Sequence, residues 1–395
     1  MSCRRERGLI LPALALLLVV GTLTLGLALH QRTTSAQLRM QATTAATLGQ
    51  ARALLRDYAQ AYGLTHANQA PGYLPCPDLD GDGSAEPDCP PAGQMAVGLF
   101  PYRTLGMPPL RDGHGECLWY AVADRFKANP KAPGALMNWD TAGQFVVAWP
   151  SGQPVFPVTR PTDRAAAVVI APGPVMPGQN RPDRAGRPCV APGLTDTVRD
   201  RYLESTFATP AATTIDVATA SADADTTNDQ VSWLQPADIF DAALLRRAHL
   251  RTAVIDAMII EAKARFNDFT GTMLPPPSAP QLVGTIEAGR LPALLTSNAT
   301  TNAAYLFREW IDQFRYLRCL GGVGDYCLAR ADGALCRGVL LFAGSRTDNQ
   351  NRAPGTDADY FESNLQSLSF PETVPFFGNE SFAPTAPHQD MVLCL

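Results

Sequence analysis

"LILPALALLLVVGTLTLGLAL", residues 9–29, contains no charged side chain, and its reading decides what kind of protein this chain is. At ~1.5 Å per residue a helix of this length reaches about 31 Å, enough to cross the hydrocarbon core of a bilayer. The preceding "MSCRRERG" sets Arg4, Arg5 and Arg7 against the single acid Glu6. The positive-inside rule keeps that leader in the cytoplasm and sends the chain beyond His30 across the membrane. A single-pass protein with a large exported part is therefore expected. The alternative is a cleaved signal peptide, for which "TTSAQ" at 33–37 offers a small-residue site, but the apolar run is longer than an h-region of ~7–15 residues.

Beyond the span the helical pattern continues. Leu48, Ala51, Leu55, Tyr58 and Tyr62 recur at helical spacing, and Gly63 is placed as a stop, so one helix is expected over 9–63 with an amphipathic outer half. A short basic leader ending in Gly8, an apolar helix starting at Leu9, and an amphipathic extension into a cysteine-bearing head resemble the type IV pilins and pseudopilins. That resemblance implies cleavage between Gly8 and Leu9 by a prepilin peptidase, a place in the bacterial inner membrane with the head in the periplasm, and other pilin or pseudopilin subunits as partners. Two positions depart from the family pattern. Leu9 stands where phenylalanine is usual, and Ala13 stands where a glutamate is usual. A carboxylate inside a bilayer is costly, and in a filament it neutralises the amino terminus of a neighbour. A subunit at the tip has no need of that contact, so Ala13 is similar to the large minor pseudopilin that caps type II secretion pseudopili, whose head carries disulfides and calcium. Read without the resemblance, the segment is an ordinary signal anchor in which Ala13 has no meaning, and Pro12 is harmless near a helix start.

The composition suits an exported, folded head. The chain has 395 residues, 46% of them hydrophobic and 17% charged, with 34 prolines and 31 glycines, so a substantial core and many loops are expected. A net charge of −5 argues against nucleic acid as a partner. With Cys3 in the leader, eight cysteines remain for an oxidising compartment: Cys76, Cys89, Cys117, Cys189, Cys319, Cys327, Cys336 and Cys394. An even number there reads as disulfides. Connectivity stays open, although Cys76 with Cys89 is the natural local pair, and closing that loop is worth ~3 kcal/mol in the chain-entropy account.

That bridge would frame "GYLPCPDLDGDG", residues 72–83. Asp78, Asp80 and Asp82 with Gly83 match the first half of an EF-hand calcium loop, where alternate positions supply oxygens and glycine allows the bend. The second half departs from it. The twelfth position, a bidentate glutamate in that loop, is Cys89, so Glu86 at position nine must substitute or leave the site to water, and the surrounding prolines exclude flanking helices. Two readings stand: a weak calcium pocket of Asp78, Asp80, Asp82 and Glu86, or Asx turns pinned by a disulfide.

A repeated pattern spans the exported region. "AAAVVIAPGPVMPGQNR" ends in Gln179, Asn180 and Arg181 and precedes "YLES" at 202–205, while "RGVLLFAGSRTDNQNR" ends in Gln350, Asn351 and Arg352 and precedes "YFES" at 360–363. Upstream, "LLRDYAQAYG" leads to "YLPCP" as "VIDAMIIEAKARFNDFTG" leads to "MLPPP". This reads as a duplication. The expected fold is α+β, a long transmembrane helix followed by a duplicated pilin-like head: modules at 64–206 and 231–395, joined by a mobile linker at 207–230. Strands are expected at 144–149, 166–171 and 338–343, and helices at about 239–269 and 303–318.

The sequence carries no GxSxG, HExxH, GxxxxGK[ST] or GxGxxG. In "RDGHGEC", Asp112, His114 and Glu116 alternate and could converge on a metal or a proton, or simply form a polar turn. Arg181 with Glu204, and Arg352 with Glu362, read as ion pairs that fix turns. No catalytic residue is assigned. Assembly and binding are the expected function, against a membrane-anchored periplasmic hydrolase or an adhesin-like tip protein that binds an external ligand.

Overall fold

The computed structural model describes residues 10–89, 91–131, 134–181, 189, 196–205, 207–220, 226–240, 247–295, 300–330, 332–347, 350, 352, 359–361 and 390–395. Gly8 and Leu9 lie outside these residues. The first element, α1, runs unbroken over Ile10–Thr65. From 14 to 39 every described side chain is exposed, whereas Thr44, Leu48, Ala51, Leu55, Ala59 and Tyr62 are buried at steps of three and four. One helix is thus apolar and long enough to span a membrane at one end and is a core helix at the other. It stops two residues later than expected. Gly63 is needed because the chain folds back over it, and a Cβ there would lie 2.9 Å from the Gln69 carbonyl.

Four strands, β1 (Ala96–Leu99), β2 (Trp119–Val122), β4 (Ala167–Ala171) and β6 (Gln230–Leu234), form an antiparallel sheet in the order β1-β2-β4-β6. The helix α1 packs on β4 and β6. Because β2 and β4 are buried at every position, "WYAV" and "AVVIA" are continuous apolar runs without alternation. Beside this sheet, β3 (Phe145–Ala148) pairs in parallel with β5 (Ile215–Ala218). The stretch 207–230 is therefore not simply a linker, since Ile215 and Val217 are buried strand residues. Its low content of large apolar residues reflects a short strand with alternate positions outward. Likewise β6 belongs to the first sheet, so the sheet extends past the boundary expected at 230/231.

The short helices α2 (Asp196–Arg199) and α3 (Pro236–Ile239) precede α4 (Ala248–Arg251), which continues through a π-helical turn, Thr252–Asp256, into α5 (Ala257–Ala264). The helix expected at 239–269 is thus confirmed for its middle only, and residues 241–246 lie outside the description. The expected helix at 303–318 needs correction. It is α6 (Asn302–Glu309), then a 3-10 turn at Ile311–Gln313, then β9 (Phe314–Cys319). Apolar residues at 306, 310, 314 and 317 fit a helical face, but every residue of β9 is buried in the middle of a sheet, which overrides that local period. That sheet is antiparallel, in the order β13-β12-β9-β8-β7, with β7 at Ser278–Val283, β8 at Ile286–Arg290, β12 at Gly338–Phe342 and β13 at Met391–Cys394. A small hairpin, β10 (Leu328–Ala329) with β11 (Leu335–Cys336), lies beside it.

The faces of β12 divide. Val339 and Leu341 pack with Phe361 and Val392, while Leu340 and Phe342 join the large core that also holds Leu55, Trp119 and Val169. The two sheets therefore share a continuous core. Four disulfides staple it: Cys76–Cys89, Cys117–Cys189, Cys319–Cys327 and Cys336–Cys394.

Candidate functional site

The acidic loop begins at Asp78, two residues after the first cysteine of the Cys76–Cys89 bridge. Asp78 is fully buried, and its backbone N–H and C=O pair with Leu99 at 3.0 and 2.9 Å, which ties the loop to the end of β1. Its Oδ1 accepts the Gly81 N–H at 2.6 Å and its Oδ2 the Gly83 N–H at 2.8 Å. Gly83 has φ +92°, and a Cβ there would lie 2.5 Å from the Tyr102 ring, so only glycine fits. Asp80 Oδ1 accepts the Asp82 N–H at 3.0 Å, Asp82 Oδ1 accepts the Ser84 N–H at 2.6 Å, and Glu86 Oε1 accepts the N–H groups of Leu79 and Asp80. These are the Asx turns of the second sequence reading.

They also gather oxygens. One from each of Asp78, Asp80 and Glu86 lies within 4.8 Å of the others, a spacing suited to a hard cation, whereas Asp82 is not in that group. Glu86 supplies the third oxygen of this group. Burial pushes the Asp78 carboxyl up to about 6 against the pull of the Gly83 and Gly81 N–H groups, and the Asp80 and Asp82 charges add to the rise. The Ser84 N–H and hydroxyl hold Asp82 below the ordinary value.

The two repeated turns have closely similar hydrogen bonding. Arg181 Nη1 donates to the Gly173 carbonyl at 2.8 Å and Nη2 to the Tyr202 carbonyl at 3.2 Å, with the guanidinium 5.3 Å from the Tyr202 ring centre. Arg352 Nη1 donates to the Gly344 carbonyl at 2.8 Å and Nη2 to the Tyr360 carbonyl at 3.0 Å, with the guanidinium 5.4 Å from the Tyr360 ring centre. Gln179 and Gln350 each accept, through Oε1, the N–H three residues earlier at 3.0 Å. The N–H of Gly173 goes to Asp112 and that of Gly344 to Asp390, each at 2.9 Å. Asn180 is exposed, while Asn351 and Glu362 lie outside the described residues.

The expected Arg181–Glu204 ion pair is replaced by another arrangement. Arg181 meets Glu116 at 3.7 Å, and Glu204 accepts from Gln179 Nε2 and from the N–H groups of Asn228 and Asp229. Asp229 is fully buried beside it, and burial followed by the Glu204 charge drives its carboxyl well above the ordinary value.

"RDGHGEC" is a turn, and its three polar side chains do not converge. Asp112 accepts the N–H groups of His114 and Glu116 through Oδ1 and of Gly173 through Oδ2, so it fixes backbone. Gly113 docks the turn on α1 by donating to Thr44 Oγ1 at 2.9 Å.

Sequence reasoning missed the junction of the two sheets. Asn138 Nδ2 donates to Asp312 Oδ1 at 2.9 Å, Trp139 Nε1 to Gln313 Oε1 at 3.0 Å, and Gln313 Nε2 to Asp140 Oδ2 at 2.8 Å. Arg352 stands 3.4 Å from Asp140, and Trp139 meets Trp310 edge to face at 4.6 Å. Burial, then the Asp140 charge, pushes Asp312 up to about 6. The available signal was "MNWD", residues 137–140, a tryptophan among polar groups with no periodicity to explain it. A groove of about 750 Å³ also runs between α1 and β6, lined by Gln41, Leu48, Arg52, Trp149, Val231 and Trp233. No protein-family model, no characterised protein and no solved structure matches the chain.

Proposed function

We propose that this chain is a membrane-anchored, non-enzymatic subunit similar to minor pilins and tip-type pseudopilins, acting through assembly with other such subunits at a type IV pilus or type II secretion filament. The observation that carries the reading is the continuity of α1. The apolar segment and the core helix of the head are one element, Ile10–Thr65, so a displacement in the membrane reaches the head without an intervening hinge. The head is read as two copies of one unit. In support, β1-β2-β4-β6 and β8-β9-β12-β13 follow the same antiparallel order, and in each copy the third strand is followed by a glycine whose carbonyl, with that of a later tyrosine, is clamped by an arginine. A weakly held calcium ion on Asp78, Asp80 and Glu86 belongs to the same reading.

Intact-mass measurement of the membrane-extracted protein tests it. The expected species begins at Leu9, after prepilin peptidase removes residues 1–8. A chain beginning at Met1, or after residue 36, would overturn the processed pilin-like form.

A further inference from the structure

The strand registers give the first sheet a direction relative to α1. Trp119 of β2 lies opposite Ile170 of β4, and Ala171 of β4 lies opposite Gln230 of β6. Beyond the other end of β6, Asp238 meets Arg52 and the Ile239 carbonyl accepts from Gln60, while Gln41 and Gln230 line the same groove at its lower end. The chain therefore climbs β6 in the direction of α1, and the ends of the strands at 119, 171 and 230 face the apolar segment. The turn at 111–117 marks that end directly, because Gly113 sits so close to the Met40 carbonyl that a Cβ would lie 2.1 Å from it.

Two loops hang from this end, "RTLGMPP" at 103–109 and "GPVMP" at 173–177. Val175 is 56% exposed, Pro108, Pro109, Pro174 and Pro177 are exposed, and Met107 and Met176 are half-buried. Both loops are held in shape. Met176 N–H donates to Gln179 Oε1 and Gln179 N–H to the Met176 carbonyl, each at 3.0 Å, while Met107 N–H donates to the Tyr102 carbonyl at 2.8 Å. Their apolar tips are thus presented at little further entropic cost. Between them and the apolar segment, α1 carries exposed Arg32 and Arg39, with no acid from 30 to 56.

We propose that these two methionine–proline loops seat the head on the polar surface of the membrane that holds α1, against lipid headgroups. The inference rests on the anchoring reading of α1. Met40 lies eleven residues beyond Leu29, which is about 17 Å of helix. The polar layer outside the hydrocarbon accounts for about 5–8 Å of that distance. A helix tilt of about 20° toward the loops closes part of the remainder. Exposed apolar side chains suit that interface because their atoms leave water there, while Arg32 and Arg39 on α1 meet anionic headgroups.

The test uses full-length protein in vesicles of phosphatidylethanolamine and phosphatidylglycerol that carry both brominated acyl chains, which quench tryptophans in the hydrocarbon, and nitroxide-labelled headgroups, which quench tryptophans at the polar surface. Leu16→Trp reports the apolar segment, Val175→Trp the loop, and Leu64→Trp the far end of α1, each against the wild-type signal. The expected result is loss of the added fluorescence at 16 and 175 and none at 64. Quenching at 16 without quenching at 175 would overturn the seating and leave the anchor intact. Quenching at 64 as well would mean that the whole head adsorbs, which also overturns it. Absence of quenching at 16 would overturn the anchoring reading, and the seating with it.

Discussion

Asp78 combines full burial with a carboxylate that accepts two backbone N–H bonds, and burial wins, raising it to about 6. A cation on Asp78, Asp80 and Glu86 must displace that proton. Calcium affinity of order 10⁻⁴–10⁻³ M is expected, since the bidentate twelfth ligand of an EF-hand is absent, and it should weaken as pH falls through about 6. Calorimetric titration of the full chain and of Asp80→Ala checks this. Equal, negligible heats from both would leave only the pinned turn. Asp312 gives a stability prediction of definite sign. Its folded value, about 6, stands above the ordinary 3.8, so the folded state holds the proton more tightly. That contribution is fully present below 3.8 and lost as pH rises through about 6. At 1.36 kcal/mol per unit the span is about 3 kcal/mol. Asp312→Asn, which keeps an acceptor for Asn138, should therefore unfold at higher denaturant than wild type at pH 7.5, with the gap closing by pH 4. A gap that does not change with pH would refute the assignment.

At the scale of elements, α1 holds the first sheet through close backbone approach as well as apolar packing. Gly113 meets backbone atoms of Met40, which belong to a helix and have nowhere to retreat. Gly113→Ala should cost about 1–3 kcal/mol, as overpacking does, and should expose the 111–117 turn to protease. Gly49→Ala on the same helix has open space around its would-be Cβ and should be neutral or stabilising by up to ~1 kcal/mol. Denaturant midpoints of the two variants decide the point. Equal effects would mean that the contact at 113 holds nothing.

The whole molecule is one cooperative body if the junction at Asn138, Trp139 and Asp140 joins its sheets as the geometry indicates. Trp139 packs on Trp310 and Phe342 while its Nε1 bonds Gln313. Trp139→Ala should cost about 3–5 kcal/mol. It should also split a single calorimetric transition into two, one for each sheet. An unchanged single transition would show that the two halves are coupled elsewhere.

Much of the fold was legible in local pattern. Residues 9–29 read by length and lack of charge as a helix able to cross a membrane, the buried face of α1 from 48 to 62 is a helical period, and "QFVVAW", "AAVVIA" and "GVLLFA" read as the strands β3, β4 and β12. The Cys76–Cys89 bridge followed from proximity along the chain. Cys319–Cys327 is as local, at 8 positions, though it was not singled out, whereas Cys117–Cys189 and Cys336–Cys394 join residues 72 and 58 positions apart, and sequence does not encode such distances locally. Residues 314–317 carry a helical spacing yet form a strand, since burial on both faces of a central strand outweighs local period. In the acidic loop the alternation of Asp78, Asp80 and Asp82 was visible, but only the fold turned Asp82 toward Ser84 and brought Glu86 into its place. By itself, then, the sequence determined the apolar span, the helix that extends it and the strands with a clear apolar pattern, because each depends on neighbours along the chain. The tertiary structure alone decided the pairing of distant cysteines, the membership of the acidic cluster and the junction where Asp140 meets Arg352, because each depends on groups that only a completed core brings together.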